Sequence, residues 1–293
     1  MLLMEHPRRL STDIDIIAEP GTDLDKYLDR ASEIFPFKAV EEQKRIGKNN
    51  IEKRHFKFTY DSPINNRPFY ILLDVLFEHN HYSELVQKEI QNDLLLTEPE
   101  YLTVSLPSAN CILADKLTAF APHTTGIPLN CGKDMEVMKQ FYDVSSLLEI
   151  FTDFQQVGPT YGKIAQAEIA YRGIESNSKD CLWDTFEAAL CIASRGKVSK
   201  EEYPIYVKGI RELRSHIYAE NYTPEIAAGR AAKIMYMVAC LLSDTEYLRV
   251  NDYAKFLDMK IEQEKLASLR YMRKVNPAAY AYVIKTDRLL AEL

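Results

Sequence analysis

The feature that most constrains the fold is a change of pattern near residue 106. Up to about Leu106 the chain has the signatures of short strands with one helix among them, and from Ser108 onward helix follows helix. A run of strands followed by a run of helices is typical of the α+β class. We therefore predict a mixed-sheet domain at 1–151 and an all-helical domain at 152–293, with the boundary in the stretch from Phe151 to Pro159, where Gly158 and Pro159 interrupt the helical pattern.

Four segments carry strand signatures. Residues 12–17 (T-D-I-D-I-I) and 52–60 alternate polar and apolar side chains, a pattern that predicts half-buried strands. Residues 68–77 are nearly all apolar, which predicts a central strand buried on both faces. Residues 101–106 form a last short strand that Pro107 ends.

Helix boundaries are predicted from capping residues. Thr22 would cap a helix from Asp23 to about Ile34, and Ser108 would cap one that ends near Ala121. A further helix is expected over about 133–151. Thr223-Pro224 and Asn276-Pro277 each place a capping residue before a proline at the first helical position.

Composition excludes several classes of protein. The net charge of −7 disfavours a general polyanion binder, and none of the five cysteines forms a C-x-x-C pair, which removes zinc-ribbon and thioredoxin chemistry. No G-x-G-x-x-G or G-x-x-x-x-G-K motif occurs, which removes Rossmann and P-loop sites at motif level. No apolar run reaches the roughly 18–20 residues of a membrane span. We expect a cytoplasmic protein with no membrane partner.

Asp13 and Asp15 are the first candidates for chemistry. Residues two apart on a strand point to the same face, so the pattern places two carboxylates side by side. Adjacent carboxylates repel each other unless a cation lies between them, and Mg²⁺ commonly takes one or two carboxylates together with substrate phosphates. The alternative is a solvated strand face with Ile14 and Ile16 pointing inward.

Four further residues are candidates. Asp74 is a carboxylate in an apolar strand that a shared metal would stabilise, and the alternative is a sheet edge or an arginine partner. Lys116 is flanked by small residues that would let phosphates approach, although solvated lysines are more common. Lys139 and Asp143 lie one helical turn apart, and Asp143 could orient or deprotonate an attacking hydroxyl.

Three weaker patterns in the sequence also suggest a metal site or a basic surface. His79 and His81 have metal-pair spacing but lack a second cluster. The basic, tyrosine-interleaved tail from Lys255 to Arg288 could bind RNA, but interspersed acidic residues favour a solvated face. The stretch from Lys44 to Lys57 is more densely basic.

Four motifs, in order and spacing, resemble the AbiEii/AbiGii family of nucleotidyltransferase-like toxins, to which the MenT toxins are related. They are R-L-S-T-D-I-D-I at 9–16, I-L-A-D-K-L-T-A-F at 112–120, T-T-G-I-P at 124–128 and K-Q-F-Y-D-V at 139–144. The resemblance implies a polymerase-β-like nucleotidyltransferase fold followed by a helical domain. It also implies a toxin that uses nucleoside triphosphates with magnesium, is paired with an antitoxin and modifies an RNA acceptor such as tRNA.

The resemblance also implies roles for individual residues. Asp13 and Asp15 match the metal carboxylates, and Asp74 matches a third by strand position only. The nucleotide-binding positions are Ser11, Lys116 and Lys139, and the catalytic positions are Asp13, Asp15, Lys116 and Asp143.

Two departures from the family pattern leave an alternative open. The family has a Gly-Gly-Thr or Gly-Gly-Ser motif upstream of D-I-D that has no counterpart before Asp13, and Gln140 stands where many members have an acidic residue. The alternative is an amino-terminally truncated, catalytically degenerate protein that binds a nucleotide or RNA.

Overall fold

The computed structural model describes residues 2–11, 13–43 and 52–293. By its internal packing the chain divides into two compact units. We call Leu10–His81 the sheet unit, and Met1–Arg9 together with Tyr82–Leu293 the helical unit. This division by packing differs from the predicted domains 1–151 and 152–293, which remain a prediction.

The sheet unit is built on a four-stranded mixed sheet in the order β1-β4-β3-β2. β1 pairs with β4 in parallel, whereas β4 with β3 and β3 with β2 are antiparallel. A short helix, α1, and a 3₁₀ turn at Ala31–Glu33 connect β1 to β2. The elements are β1 at Asp13–Ala18, α1 at Asp25–Leu28, β2 at Phe37–Glu42, β3 at Lys53–Asp61 and β4 at Pro68–Phe77.

The register gives the sheet two unlike faces. Phe56 and Val75 belong to one face and, with Phe77, form the buried cluster of the unit. Leu24 and Leu28, at the start and end of α1, pack against this cluster. The opposite face carries Asp13, Asp15 and Asp74, because successive residues of a strand alternate between faces.

The helical unit contains a hairpin and the remaining helices. α2 packs against α3 and α4, and α7 packs against α5 and α9. Its elements are β5 at Leu85–Glu89, β6 at Thr103–Pro107, α2 at Ala109–Ala119, α3 at Asp134–Ile150, α4 at Phe154–Arg172, α5 at Ser178–Ala193, α6 at Tyr203–Leu213, α7 at Pro224–Ser243, α8 at Met272–Val275 and α9 at Pro277–Leu290.

Strands followed by helices confirm the predicted α+β class, and three of the predicted caps are confirmed. The side chains of Ser108, Thr223 and Asn276 each accept a hydrogen bond from a backbone N–H in the first turn of α2, α7 and α9. Each cap satisfies a donor that the helix itself leaves unpaired.

Several details of the sequence prediction are wrong. β4 is interior to the sheet as predicted, but only Val75 and Phe77 of it are buried. Ile14 and Ile16 of β1 share the apolar face of the sheet, since they pair with Leu73 and Val75, but they remain 52% and 43% exposed because β1 is the terminal strand of the described sheet. Thr12, the predicted first residue of this strand, lies outside the described residues.

One predicted helix and one predicted break in the helical pattern also differ from the structure. α1 is a single turn, because the Thr22 hydroxyl donates to the Glu19 carbonyl instead of capping a helix and no residue of α1 is buried. Gly158 and Pro159 do not interrupt α4, which continues through both residues. Proline at this position cannot donate to the carbonyl four residues earlier and crowds that carbonyl, yet the helix continues through it.

Within the described ranges, one helix, α7, is long and apolar enough to cross a membrane. Burial inside the protein covers 67% of its apolar window, as in the core helix of a globular protein. All five cysteines are free thiols, and four of them are buried.

The T-T-G-I-P segment closes the carboxyl end of α2. The backbone N–H of Gly126 donates to the Ala121 carbonyl at 2.6 Å, and the Thr125 hydroxyl donates to the Thr118 carbonyl at 2.8 Å. A Cβ at residue 126 would lie 2.5 Å from the Ala121 nitrogen and 2.6 Å from the Ala119 oxygen. The motif glycine is therefore required by the close approach of two backbone segments.

Replacing Gly126 by alanine should destabilise the protein by about 1–3 kcal/mol, the usual cost of overpacking. The measurement is the free energy of unfolding in urea. Gly162→Ala is the matched control, because a Cβ there meets nothing within 4 Å and alanine favours the helix. Equal stability of the two variants would contradict this account of the loop.

Candidate active site

The sheet unit brings the three predicted carboxylates to one face. Asp15 of β1 lies directly opposite Asp74 of β4 in the parallel ladder, and Asp13 lies opposite Leu72, two residues earlier. Residues paired across a ladder share a face, and so do residues two apart on one strand. Asp74, which matches the family pattern by strand position only, thus lies beside Asp15.

His55 extends this row to a third strand. It lies opposite Asp74 in the β3–β4 ladder, and its Nδ1 is 2.7 Å from the Asp74 carboxylate. The His55 side chain is 15% exposed and that of Asp74 is 34% exposed. Asp74 therefore has a histidine partner on the neighbouring strand. The sequence analysis missed His55, because only the register of strands about 20 residues apart identifies it.

The donor set fits a metal that is completed by a substrate. Among the described residues no three His, Cys, Asp or Glu side chains converge closely enough to hold a metal ion by themselves. Two or three carboxylates on an open face match the way Mg²⁺ is held by one or two carboxylates plus phosphate oxygens. They do not match a closed cage such as a structural zinc site.

Ser11 precedes β1 and is exposed. Its hydroxyl donates to the Asp13 carbonyl at 3.4 Å. At 3.4 Å this bond is weak, and the hydroxyl can rotate to donate to another acceptor.

The helical unit carries the other predicted residues on two packed helices. Lys116 of α2 is 29% exposed, and its ammonium is 3.8 Å from the carboxylate of Asp115. Lys139 and Asp143 lie on α3, where both are partly buried.

Asp143 is held by an arginine that the sequence analysis gave no role. The Arg9 Nε and one terminal nitrogen each donate to a different oxygen of the Asp143 carboxylate, both at 2.6 Å. The two side chains are only 16% and 13% exposed. This two-pronged geometry is the strongest form of ion pair and fixes the direction of the carboxylate. Arg9 opens the R-L-S-T-D-I-D-I motif, and its position there was the only available signal.

The helix that carries Asp143 is supported by a second arginine. The Tyr142 hydroxyl donates to Glu220 at 3.0 Å, and Arg230 donates to the same carboxylate oxygen at 2.5 Å. Arg230 also lies over the ring of Tyr142 at 4.8 Å. Both residues of the Y-D pair in the fourth motif thus contact a partly buried arginine. Arg9 pairs with Asp143, and Arg230 lies over the ring of Tyr142.

The comparison with known families decides the identity of the chain. The family model described as "Nucleotidyl transferase AbiEii toxin, Type IV TA system" matches residues 1–228. The chain belongs to the AbiEii nucleotidyl transferase family. No curated protein matches it. The match includes all four motifs and confirms both the resemblance and the nucleotidyltransferase assignment of the fold.

The AbiEii match also covers a histidine cluster that fixes the loop after α2. His123 Nδ1 is 2.7 Å from Asp184, its Nε2 is 3.0 Å from Glu202, and the backbone N–H of His123 donates to Asp184 at 2.8 Å. Hydrogen bonding to Asp184, with the charges of both carboxylates, raises the pKa of His123 to about 9 against the opposing effect of burial. This AbiEii protein therefore carries a charged imidazolium that clamps the T-T-G-I-P loop to α5 at neutral pH.

The weaker signals have structural explanations where the structure describes them. His79 contacts Glu19 at 2.8 Å and His81 contacts Glu78 at 3.6 Å, so each histidine has a carboxylate partner. In the tail, Lys265, Arg273 and Arg288 pair with Glu187, Asp258 and Glu262. The first part of the basic stretch, 44–51, lies outside the described residues.

Removing Arg9 should destabilise the AbiEii chain, because the mostly buried carboxylate of Asp143 would lose its partner. We expect Arg9→Gln to lower the free energy of unfolding by about 3 kcal/mol. Arg30→Gln is the control, because its ion pair with Glu33 is largely exposed and should contribute less than about 0.5 kcal/mol. Similar losses in the two variants would mean that the Arg9–Asp143 pair is no stronger than a surface pair.

Proposed function

We propose that this chain is a magnesium-dependent nucleotidyltransferase toxin that transfers a nucleotide from a nucleoside triphosphate to an RNA acceptor, a tRNA. The observation that carries the proposal is the row of Asp13, Asp15 and Asp74 on one face of two parallel strands, in a chain of a nucleotidyl transferase family. Carboxylates in register on neighbouring strands repel each other unless a cation between them offsets the repulsion.

Asp13 and Asp15, with Asp74, are the proposed ligands of magnesium. The ion would supply Lewis-acid activation of the nucleotide phosphates and of the acceptor hydroxyl. The contact between His55 and Asp74 orients this third carboxylate, as partners of metal ligands commonly do. His55 is therefore proposed as a positioning residue.

The remaining assignments follow the motif matches. Ser11, Lys116 and Lys139 are proposed to bind the phosphates, since a hydroxyl and two ammonium groups complement the negative charge of a triphosphate. Asp143 is proposed to orient the attacking hydroxyl or accept its proton, and the fixed direction of its carboxylate in the Arg9 pair supports the orienting role.

The family description supports a toxin that acts together with an antitoxin. We propose that a cognate antitoxin protein counteracts this chain in the cytoplasm. Growth inhibition on expression of the chain, abolished by Asp15→Asn, is the cellular consequence of this proposal.

The direct test is transfer of a label on the α-phosphate of each of the four nucleoside triphosphates, with Mg²⁺, to total tRNA, with the β- and γ-phosphates released as pyrophosphate. We expect label in the RNA with the wild-type chain, and a loss of at least roughly 100-fold in Asp13→Asn and Asp15→Asn, the scale of removing one preorganised electrostatic contact. Asp29→Asn is the matched control, because Asp29 is an exposed aspartate at the end of α1, on the side of the sheet that α1 covers.

Two outcomes would contradict the proposal. Equal transfer by Asp15→Asn and wild type would remove the carboxylates from the chemistry. Nucleotide binding without transfer to any acceptor would favour the catalytically degenerate binding protein instead.

A further inference from the structure

The face of the sheet that carries the carboxylates continues into a pair of residues with no assigned role. Tyr70 of β4 lies two residues before Leu72, which pairs with Asp13, so it shares the face of Asp13 and Asp74. Lys57 of β3 pairs directly with Leu72 and lies on the same face. We call these two residues the Lys57–Tyr70 pair.

The Lys57–Tyr70 pair has the geometry of a preformed cation–aromatic contact. The Lys57 ammonium is 4.9 Å from the centre of the Tyr70 ring, and Tyr70 as a whole residue is 44% exposed. Phe69, which is 48% exposed, lies nearly parallel to this ring at 5.7 Å. In the described ranges no carboxylate forms an ion pair with Lys57. The pair therefore presents a partly exposed tyrosine and an ammonium group that no described carboxylate neutralises.

Strand geometry sets the spacing between this pair and the carboxylates. A rise of about 3.3 Å per residue places Tyr70 about 7 Å along the strand from the level of Asp13 and about 13 Å from Asp74. A ligand whose phosphates lie at the carboxylates can therefore reach the ring with its other end. A nucleotide has this arrangement, because its base is separated from its phosphates by the sugar.

We propose that the Lys57–Tyr70 pair is the base-binding element of the nucleotide site. The nucleobase of the triphosphate stacks on the exposed Tyr70 ring, and the Lys57 ammonium contacts the phosphates beside Asp13. Base–aromatic stacking is tolerant of base identity, because every base has a π-face. This inference rests on the proposed function, since it places the phosphates at the carboxylates.

The chain contains a matched control for such a pair. Lys26 lies 4.7 Å from the ring centre of Tyr27, which is 65% exposed, so the chemistry and accessibility resemble those of the Lys57–Tyr70 pair. Tyr27 lies on α1, and α1 packs on the apolar face of the sheet, away from the carboxylates. If Tyr70→Leu acted only through a general loss of stability or of exposed aromatic surface, Tyr27→Leu would have the same effect.

The test is equilibrium binding to the full chain, in Mg²⁺, of each nucleoside triphosphate and of inorganic tripolyphosphate. For Tyr70→Leu we expect the dissociation constant of the triphosphate to rise about tenfold or more, the effect of losing one base–aromatic stack, and that of tripolyphosphate to stay unchanged. Tyr70→Phe and Tyr27→Leu should bind both ligands like wild type. Lys57→Gln should weaken the binding of both ligands.

A second measurement does not depend on the leucine variant being folded. The fluorescence of Tyr70→Trp, corrected for that of Trp183 in the wild-type chain, should change on addition of a nucleoside triphosphate and not of tripolyphosphate. An unchanged signal at saturating triphosphate would overturn the inference.

The outcomes separate this inference from the proposed function. Wild-type affinity of Tyr70→Leu for the triphosphate overturns the inference alone, and so does weaker binding of single-stranded RNA with unchanged triphosphate binding. If Tyr70→Leu weakened the binding of tripolyphosphate as much as that of the triphosphate, the inference would also be overturned, since the ring would then not act on the base. Failure of the wild-type chain to bind any triphosphate in Mg²⁺ overturns both.

Discussion

The parallel pairing of β1 with β4 is the interaction on which the rest of the account depends. It sets Asp15 opposite Asp74, and the antiparallel pairing of β4 with β3 then adds His55 to the same row. A slip of one residue in either ladder would turn one set of side chains to the opposite face. The proposed site therefore depends on strand register more than on any single residue.

The same register separates the apolar and polar parts of the sheet unit. Phe56, Val75 and Phe77 form its buried cluster on one face, and the short helix α1 covers them with Leu24 and Leu28. A face covered in this way specifies the register strongly, because a slip would expose the apolar residues. The open face can then hold carboxylates, a histidine and a lysine, since none of them is fully removed from water.

The sequence predicted those features that depend on local spacing. Alternation placed Asp13 and Asp15 on one face, and capping residues located α2, α7 and α9. It did not predict the partners of Asp74 and Asp143, because His55 and Arg9 are 19 and 134 residues away from them along the chain. Such pairs depend on register and on helix packing, which no local pattern encodes. Helix α1 was predicted too long because its segment has capping residues but no buried apolar stripe to stabilise further turns.

The central claim is that Asp13 and Asp15 hold a divalent ion together with the phosphates of a nucleotide. A crystal structure grown with Mn²⁺ and a non-hydrolysable nucleoside triphosphate analogue tests it most directly, because anomalous scattering identifies the ion. The account predicts a manganese peak within about 2.5 Å of oxygens from Asp13 or Asp15 and from the triphosphate. A bound nucleotide whose phosphates and metal lie elsewhere, with both aspartates contacting only protein or water, would contradict it.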